Sequence, residues 1–166
     1  MKLNLQRLIH TPGEKLSFDF SMDLSEVDIL GDRPFTEPVT VSGVVKNTAE
    51  VLSLDAVATS TLSLCCDRCR RAFHREKRAE IRYMLAQELQ DEDSDDILLL
   101  EADELDMEDV AYTAYILDMD TKHLCSEDCK GLCPGCGADL NESACRCEPE
   151  VDPRWAALSQ FLDKPE

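Results

Sequence analysis

Aromatic side chains are scarce in this 166-residue chain. Phe, Trp and Tyr make up 5% of it, so its core has to be built mainly from Leu, Val, Ile and Ala. Positive charge is missing from one long stretch: between Tyr83 and Thr121 there is no Lys or Arg against fourteen Asp and Glu. The whole chain has a formal charge of −18, which argues against broad electrostatic binding to RNA or DNA. No apolar run approaches the roughly 20 residues that span a bilayer as a helix. The opening MKLNLQRLIH has charges and amides where a secretory signal would place its apolar segment, so a cytoplasmic location is expected. Also absent are a glycine-rich phosphate loop, a Gly-x-Ser-x-Gly elbow and a His-Glu-x-x-His pair. No catalytic constellation replaces them, because carboxylate pairs within an acidic tract arise by chance.

What the chain does have is cysteine. Six of its nine cysteines fall in CSEDCKGLCPGCGADLNESACRC, residues 125–147. At its centre lies Cys133-Pro134-Gly135-Cys136-Gly137, a C-x2-C turn in which Pro fixes one backbone angle and Gly permits others closed to larger residues. Two thiolates at that spacing make half of a tetrahedral zinc site. Cys145 and Cys147 form a second close pair, Cys125 and Cys129 a third, and Cys66 and Cys69 a distant fourth. Cys133, Cys136, Cys145 and Cys147 suffice for one site, and Cys66 and Cys69 with Cys125 and Cys129 supply another. Spacing alone does not fix this grouping, so the expectation is one or two structural zinc ions with Cys65 left over.

A disulfide framework is the alternative, but a cytosolic chain keeps its thiols reduced. A catalytic zinc would need an open position and His or carboxylate ligands, whereas this supply is almost all thiolate. His74 and His123 lie near the knuckles, where a lone histidine more often packs or faces solvent than binds metal. Cys65, beside Arg68, would be the nucleophile of any reactive-thiol chemistry, although a free cysteine is more often a small buried residue.

Positive charge concentrates around the first knuckle. Arg68, Arg70, Arg71, Arg75, Lys77, Arg78 and Arg82 are seven of the seventeen Lys and Arg residues, a basic edge on an acidic body. Arg68, Arg70, Arg71, Arg75, Lys77 and Arg78 are the RNA-contact candidates. The competing reading is a solvated strand face whose cations balance neighbouring carboxylates.

Periodicity predicts mostly strands. Leu3 and Leu5 alternate with polar neighbours over residues 1–8, and Phe18, Phe20 and Met22 share that period. Residues 25–38 carry the loop signals Gly31, Pro34 and Pro38, Val39 to Val45 alternate again, and 46–48 is expected to turn the chain. Residues 51–64 place Leu52, Leu54, Ala56, Ala58, Leu62 and Leu64 on one face, and 73–85 alternate likewise, so the Cys66/Cys69 knuckle caps a hairpin spanning about 51–85. An acidic loop is expected at 88–96, a short strand at 97–100, and a helix over about 106–118. That helix would be capped by Asp106, with Met107, Val110, Ala111, Ala114 and Leu117 on its apolar side and Tyr112 and Tyr115 in packing roles. A short C-terminal amphipathic helix is expected in 151–166, opened by Asp152-Pro153 and docked on the chain's own core through Trp155, Leu158, Phe161 and Leu162. The fold class is therefore α+β: an antiparallel β-rich sheet or partly open barrel over 1–120 with one middle helix, a zinc module over 121–150, and a terminal helix.

These residues together resemble the YceD family over essentially the full chain. The likeness rests on the knuckle Leu64-Cys65-Cys66-Asp67-Arg68-Cys69, on the 125–137 block CSEDCKGLCPGCG, on Asp139-Leu140-Asn141, on Cys145-Arg146-Cys147, and on Asp152-Pro153-Arg154-Trp155-Ala156-Ala157-Leu158. The resemblance implies a non-enzymatic role in accumulation, processing or assembly of large-subunit ribosomal RNA. Family genes in bacteria commonly neighbour that of a small large-subunit ribosomal protein. Members vary in cysteine content, which implies that metal holds the fold and does not perform the function. The resemblance names no binding surface, so charge has to: the expected partner is large-subunit ribosomal RNA or its precursor, contacted through the basic knuckle hairpin, or a basic large-subunit ribosomal protein held on the acidic tract over 88–109, two compatible contacts. An RNA-processing enzyme using clustered carboxylates and Mg2+, and a zinc-thiol redox sensor, are the alternatives from other classes.

Overall fold

A computed structural model describes residues 1–29, 31–88 and 96–147. The chain divides into two compact units, Met1–Leu64 with Ala72–His123, and Cys65–Arg71 with Leu124–Glu166. The first unit holds the secondary structure: β1 (Lys2–Asn4), α1 (Gln6–Ile9), β2 (Lys15–Met22), β3 (Val39–Thr48), β4 (Val51–Cys65, its last residue belonging to the second unit), β5 (Ala72–Ala86), β6 (Ile97–Leu99), β7 (Glu104–Asp106) and α2 (Met107–Leu117). Strands β2 to β6 form one open sheet in chain order, and β1 pairs with β7 in a second, two-stranded sheet.

The long strands form because alternate residues are apolar. In β4, Leu52, Leu54, Ala56, Ala58, Leu62 and Leu64 are buried, and their neighbours Ser53, Asp55, Val57, Thr59, Thr61 and Ser63 are half-buried. Val39, Val41 and Val45 of β3 and Ala79, Ile81 and Leu85 of β5 join the same core, as do Leu5, Leu8, Leu105, Met107, Ala111 and Tyr115. Tyr115 is fully buried and its ring lies 6.1 Å from Phe35, so the few aromatics are spent at the centre. Gly43 of β3 faces Phe18 of β2 and Ala56 of β4. A Cβ there would come within 2.7 Å of both the Asp55 carbonyl oxygen and the Phe18 ring.

The β3–β4 hairpin closes on Ala49 and Glu50, both with positive φ, the conformation a two-residue turn needs to match strand twist. Buried Asn47 braces it. Its Oδ1 accepts from the Glu50 amide at 3.0 Å, and its Nδ2 donates to the carbonyls of Leu8 at 2.7 Å and Ile9 at 3.0 Å.

Several expectations need correcting. Residues 1–8 are not one strand: the chain leaves β1 at Asn4 and turns into α1, so that Leu5, which precedes the helix, and Leu8, within it, are both buried three positions apart. The turn expected at 46–48 lies two residues later, and β3 runs through Thr48. The sheet is not wholly antiparallel, since β6 pairs with β5 in parallel register, and it is open, not a barrel. In α2, Asp106 accepts from the Glu108 amide as expected, yet Leu117 is 79% exposed and Tyr115 takes the buried place. Residues 89–95 of the acidic loop and the C-terminal helix over 151–166 lie outside the described residues.

Candidate metal centres

The second unit contains two four-cysteine groups. Cys66, Cys69, Cys125 and Cys129 form one, and Cys133, Cys136, Cys145 and Cys147 the other; within each group all four sulfurs lie within 4.8 Å of one another. Both groups follow from local turns. After β4 the chain makes a tight loop in which the Arg70 amide donates to the Cys66 carbonyl at 2.8 Å and the Cys66 amide to that of Arg71 at 2.9 Å. Arg70 has φ 60, which lets the loop close behind Cys69. In the second group the Gly137 amide donates to the Cys133 carbonyl and the Cys133 amide to that of Ala138, each at 2.8 Å, with Gly137 at φ 73.

The sulfur spacings suit a metal better than a disulfide. In the first group the Cys66 and Cys129 sulfurs are 3.8 Å apart and those of Cys69 and Cys125 3.6 Å. In the second, Cys145 lies 3.4 Å from Cys136 and 3.3 Å from Cys133. A disulfide brings sulfurs to about 2.0 Å. Tetrahedral coordination at about 2.3 Å per sulfur separates them by about 3.8 Å. Four thiolates from two turns, with no histidine or carboxylate among them, make a closed donor set, so these groups could hold metal ions. In the first group three cysteines are buried and Cys125 half-buried, whereas Cys136 and Cys147 of the second are exposed.

Each group divides its thiols by their hydrogen bonds. Burial pushes Cys66 up, but the amides of Cys125, Cys69 and Arg68 outweigh it and bring the thiol down to about 6. The neighbouring Cys69 thiol, with burial, pushes Cys125 up to about 12. The Arg71 amide pulls Cys69 down, yet burial and the Cys66 and Cys129 side chains leave it raised. In the second group the Cys136 amide, the Cys145 thiol and the Gly135 amide bring Cys133 down to about 6. Cys145 and Cys136 push Cys147 up to about 12; the Cys147 amide pulls Cys145 down, yet the Cys133 and Cys136 side chains together with burial leave it raised. One ready thiolate among neighbours that resist a second negative charge is the electrostatic situation a divalent cation relieves.

Outside both groups stands Cys65, half-buried, its thiol donating to the Arg70 carbonyl at 3.3 Å. His74 and His123 belong to neither group.

The basic candidates are mostly engaged within their own units. In the second unit Arg68 donates to the Cys129 carbonyl at 2.7 Å, and Arg71 reaches Asp139 at 3.2 Å and Glu142 at 2.6 Å. Asp139 and Glu142 raise the Arg71 guanidinium further. Within the first unit Lys77 pairs with Asp118 at 2.6 Å, and Arg75 reaches Asp120 at 3.7 Å while lying over the Phe73 ring. Arg82 pairs with Glu80 at 2.7 Å. Arg78 lines a shallow depression with Asp55, Glu80 and Arg82. Among the described residues neither Arg70 nor Arg78 is in a salt bridge. Charge balance was one of the two readings of this basic edge, but charge counting could not name the partners, because Asp118, Asp120, Asp139 and Glu142 lie 41 to 71 positions from their cations. The legible signal was an acidic pair, Asp118 and Asp120, closing a segment without cations.

The family model described as "Large ribosomal RNA subunit accumulation protein YceD" matches residues 54–162, which include all eight grouped cysteines. The chain belongs to the YceD family. Curated proteins similar to this YceD chain include an uncharacterized protein of Mycobacterium bovis, Mb2951c, and two uncharacterized proteins of Mycobacterium tuberculosis, MT2996 and Rv2926c. Each is 36% identical over 58 residues, 35% of this chain and 28% of the relative, so the match spans little more than a quarter of those proteins. No solved structure matches the chain. No helix among the described residues is long and apolar enough to cross a membrane.

Proposed function

We propose that this YceD-family chain is a non-enzymatic factor for large-subunit ribosomal RNA accumulation that holds a basic large-subunit ribosomal protein. In this reading two structural zinc ions shape its cysteine-rich unit. Zinc is the metal that suits closed, all-thiolate, tetrahedral sites with no position left for substrate.

The observation that carries the choice of partner is the balance of paired and unpaired charge. Arg71, Arg75, Lys77 and Arg82 are held in internal ion pairs. The carboxylates Glu101, Glu104 and Asp109 meet no cation in a salt bridge among the described residues. With Lys2, Asp106, Leu98, Leu99, Leu105 and Val110 they line a depression of about 280 Å³, and Asp106 there pairs with the amino terminus. A depression in which four carboxylates outnumber one lysine favours a basic protein segment over a polyanion.

A second reading, direct contact with precursor RNA, is favoured by Arg70 and Arg78, which are free of salt bridges among the described residues. Recovery of the tagged protein from its host at low salt, with and without RNase, separates the two. A basic ribosomal protein that stays bound after RNase is the expected result. If large-subunit RNA is captured and every ribosomal protein is lost on RNase treatment, the RNA reading replaces this one. If neither is captured, both fail.

A further inference from the structure

The two cysteine groups share a wall. Cys129 belongs to the first and Cys133 to the second, and only Lys130, Gly131 and Leu132 separate them. That connector is clamped from both sides. From the first knuckle, the Arg68 carbonyl accepts from the Leu132 amide at 3.0 Å, and its guanidinium donates to the Cys129 carbonyl at 2.7 Å. Gly131 has φ +77, and a Cβ there would meet the Arg68 carbonyl oxygen at 3.0 Å, so connector and knuckle approach as closely as backbone allows.

From the other side comes the span between Cys136 and Cys145. Asp139 bridges Leu132 in antiparallel fashion, and the Leu140 amide donates to the Gly131 carbonyl at 2.9 Å. Asn141 then crosses to the other group. Its Oδ1 accepts from the Lys130 amide at 2.8 Å, and its Nδ2 donates to the Cys129 sulfur at 3.5 Å. Asp139 fixes that side chain in turn, accepting from the Asn141 amide at 2.8 Å and from its Nδ2 at 2.6 Å, while Arg71 holds the far oxygen of Asp139. A residue of the span that positions the second group's ligands therefore touches a ligand of the first.

We propose that Asn141 couples the two metal sites, so that loading one raises the affinity of the other. This rests on the metal reading above. Loading the first site fixes the position of the Cys129 sulfur, and with it the acceptor that Asn141 Nδ2 reaches. That contact in turn fixes Asn141 and the span that sets the distance from Cys136 to Cys145. Loading the second site fixes the same span from its other end and presents Nδ2 to Cys129. The effect is reciprocal, as coupling between binding sites must be. Contacts to ligand atoms from beyond the metal commonly change affinity by roughly 10- to 100-fold.

The test is a titration of the full-length reduced apoprotein with Zn2+, read by native mass spectrometry as zero, one or two ions per chain. Anaerobic Co2+ titration supplies the sulfur-to-cobalt absorption as a second readout. For two equal, independent sites about half the chains carry one ion at half-saturation; a coupling of about 25-fold lowers that to about one sixth. The wild type is expected near the lower figure and Asn141→Ala near the upper. Cys145→Ser, which cripples the second site, should weaken the first by roughly 5- to 150-fold. The same change in an Asn141→Ala background should leave the first site as it was. Equal singly loaded populations in wild type and Asn141→Ala overturn the proposal. If Asn141→Ala does not fold, an unaltered first site in Cys145→Ser overturns it alone. A wild type that takes up no metal defeats the metal reading itself.

Discussion

Zinc uptake at pH 7 should release at least two protons per site. In the first group the Cys66 thiol lies at about 6, Cys69 is raised and Cys125 is pushed up to about 12. In the second, Cys133 lies at about 6, Cys145 is raised and Cys147 is pushed up to about 12. At pH 7 Cys66 and Cys133 are thus mostly thiolates, and Cys69, Cys125, Cys145 and Cys147 hold their protons. Coordination requires thiolates, so two of these protons leave each site on loading. Protons compete with the metal, and apparent affinity therefore rises with pH. The gain is at least about 100-fold per pH unit per site, or about 2.7 kcal/mol at 1.36 kcal/mol per proton. Below about pH 6, Cys66 and Cys133 also protonate, and the dependence steepens by one more proton per site. Stoichiometric Zn2+ added to reduced apoprotein in weak buffer, with a pH indicator, counts the protons directly. Chelator competition at pH 7 and pH 8 gives the slope. Fewer than two protons per ion, or a change in affinity well below 100-fold over that unit, would refute the assigned sulfur environments.

The fold offers three further tests by chemical denaturation and one by binding. Gly43→Val forces a side chain against Asp55, Ala56 and Phe18 and should cost about 1 to 3 kcal/mol, seen as a lower midpoint at unchanged slope. Asn47→Leu strips partners from the Leu8 and Ile9 carbonyls and the Glu50 amide and should cost about 2 to 4 kcal/mol; a loss under 1 would show that water replaces all three bonds. The turn change Ala49→Asn with Glu50→Gly supplies residues suited to positive φ and should stabilise by about 1 kcal/mol, whereas no gain would mean the hairpin bears no strain there. If RNA is bound directly, neutralising Arg70 and Arg78 should lower the salt slope by about 2, while neutralising the paired Arg75 and Lys77 should barely change it; the reverse pattern would show that the ion pairs open on binding.

Legibility in the sequence followed the length of each pattern. β4 is buried at every second residue for most of its length, and β5 for part of it, so alternation revealed both. β1, β6 and β7 have three residues each, too few to carry a period, which is why the parallel pairing of β6 and the β1–β7 sheet were not anticipated. Leu3 and Leu5 imitate a strand because two core contacts two residues apart look the same whether the chain continues straight or bends into a helix. The buried positions of α2 step by four, through Met107, Ala111 and Tyr115, and the core had room for the large ring and not for Leu117. The grouping of the cysteines needed the structure, because thiolates are chemically alike and spacing ranks several pairings equally. Likewise the number of cations around the first knuckle was plain, but their pairing depends on which carboxylates the fold returns to them.

That pairing bears on how an acidic protein can serve ribosomal RNA. On the reading proposed above, a chain of charge −18 approaches RNA against repulsion, and cations already held by Asp118, Asp120, Asp139 and Glu142 release few counterions on binding phosphate. Toward a basic ribosomal protein the same charge is an attraction that speeds encounter and weakens with salt. A carrier of this kind also has to let go. Contacts made by rim carboxylates are screened and exchange quickly, and RNA, with its denser negative charge, competes for the same cations. The electrostatics therefore favour transfer of the basic protein from this chain to the RNA. The transfer has a measurable sign: added large-subunit RNA should displace a pre-bound basic ribosomal protein from this chain without itself remaining attached. A stable ternary complex would refute the transfer, since the chain would then keep its hold on the basic protein after RNA had bound.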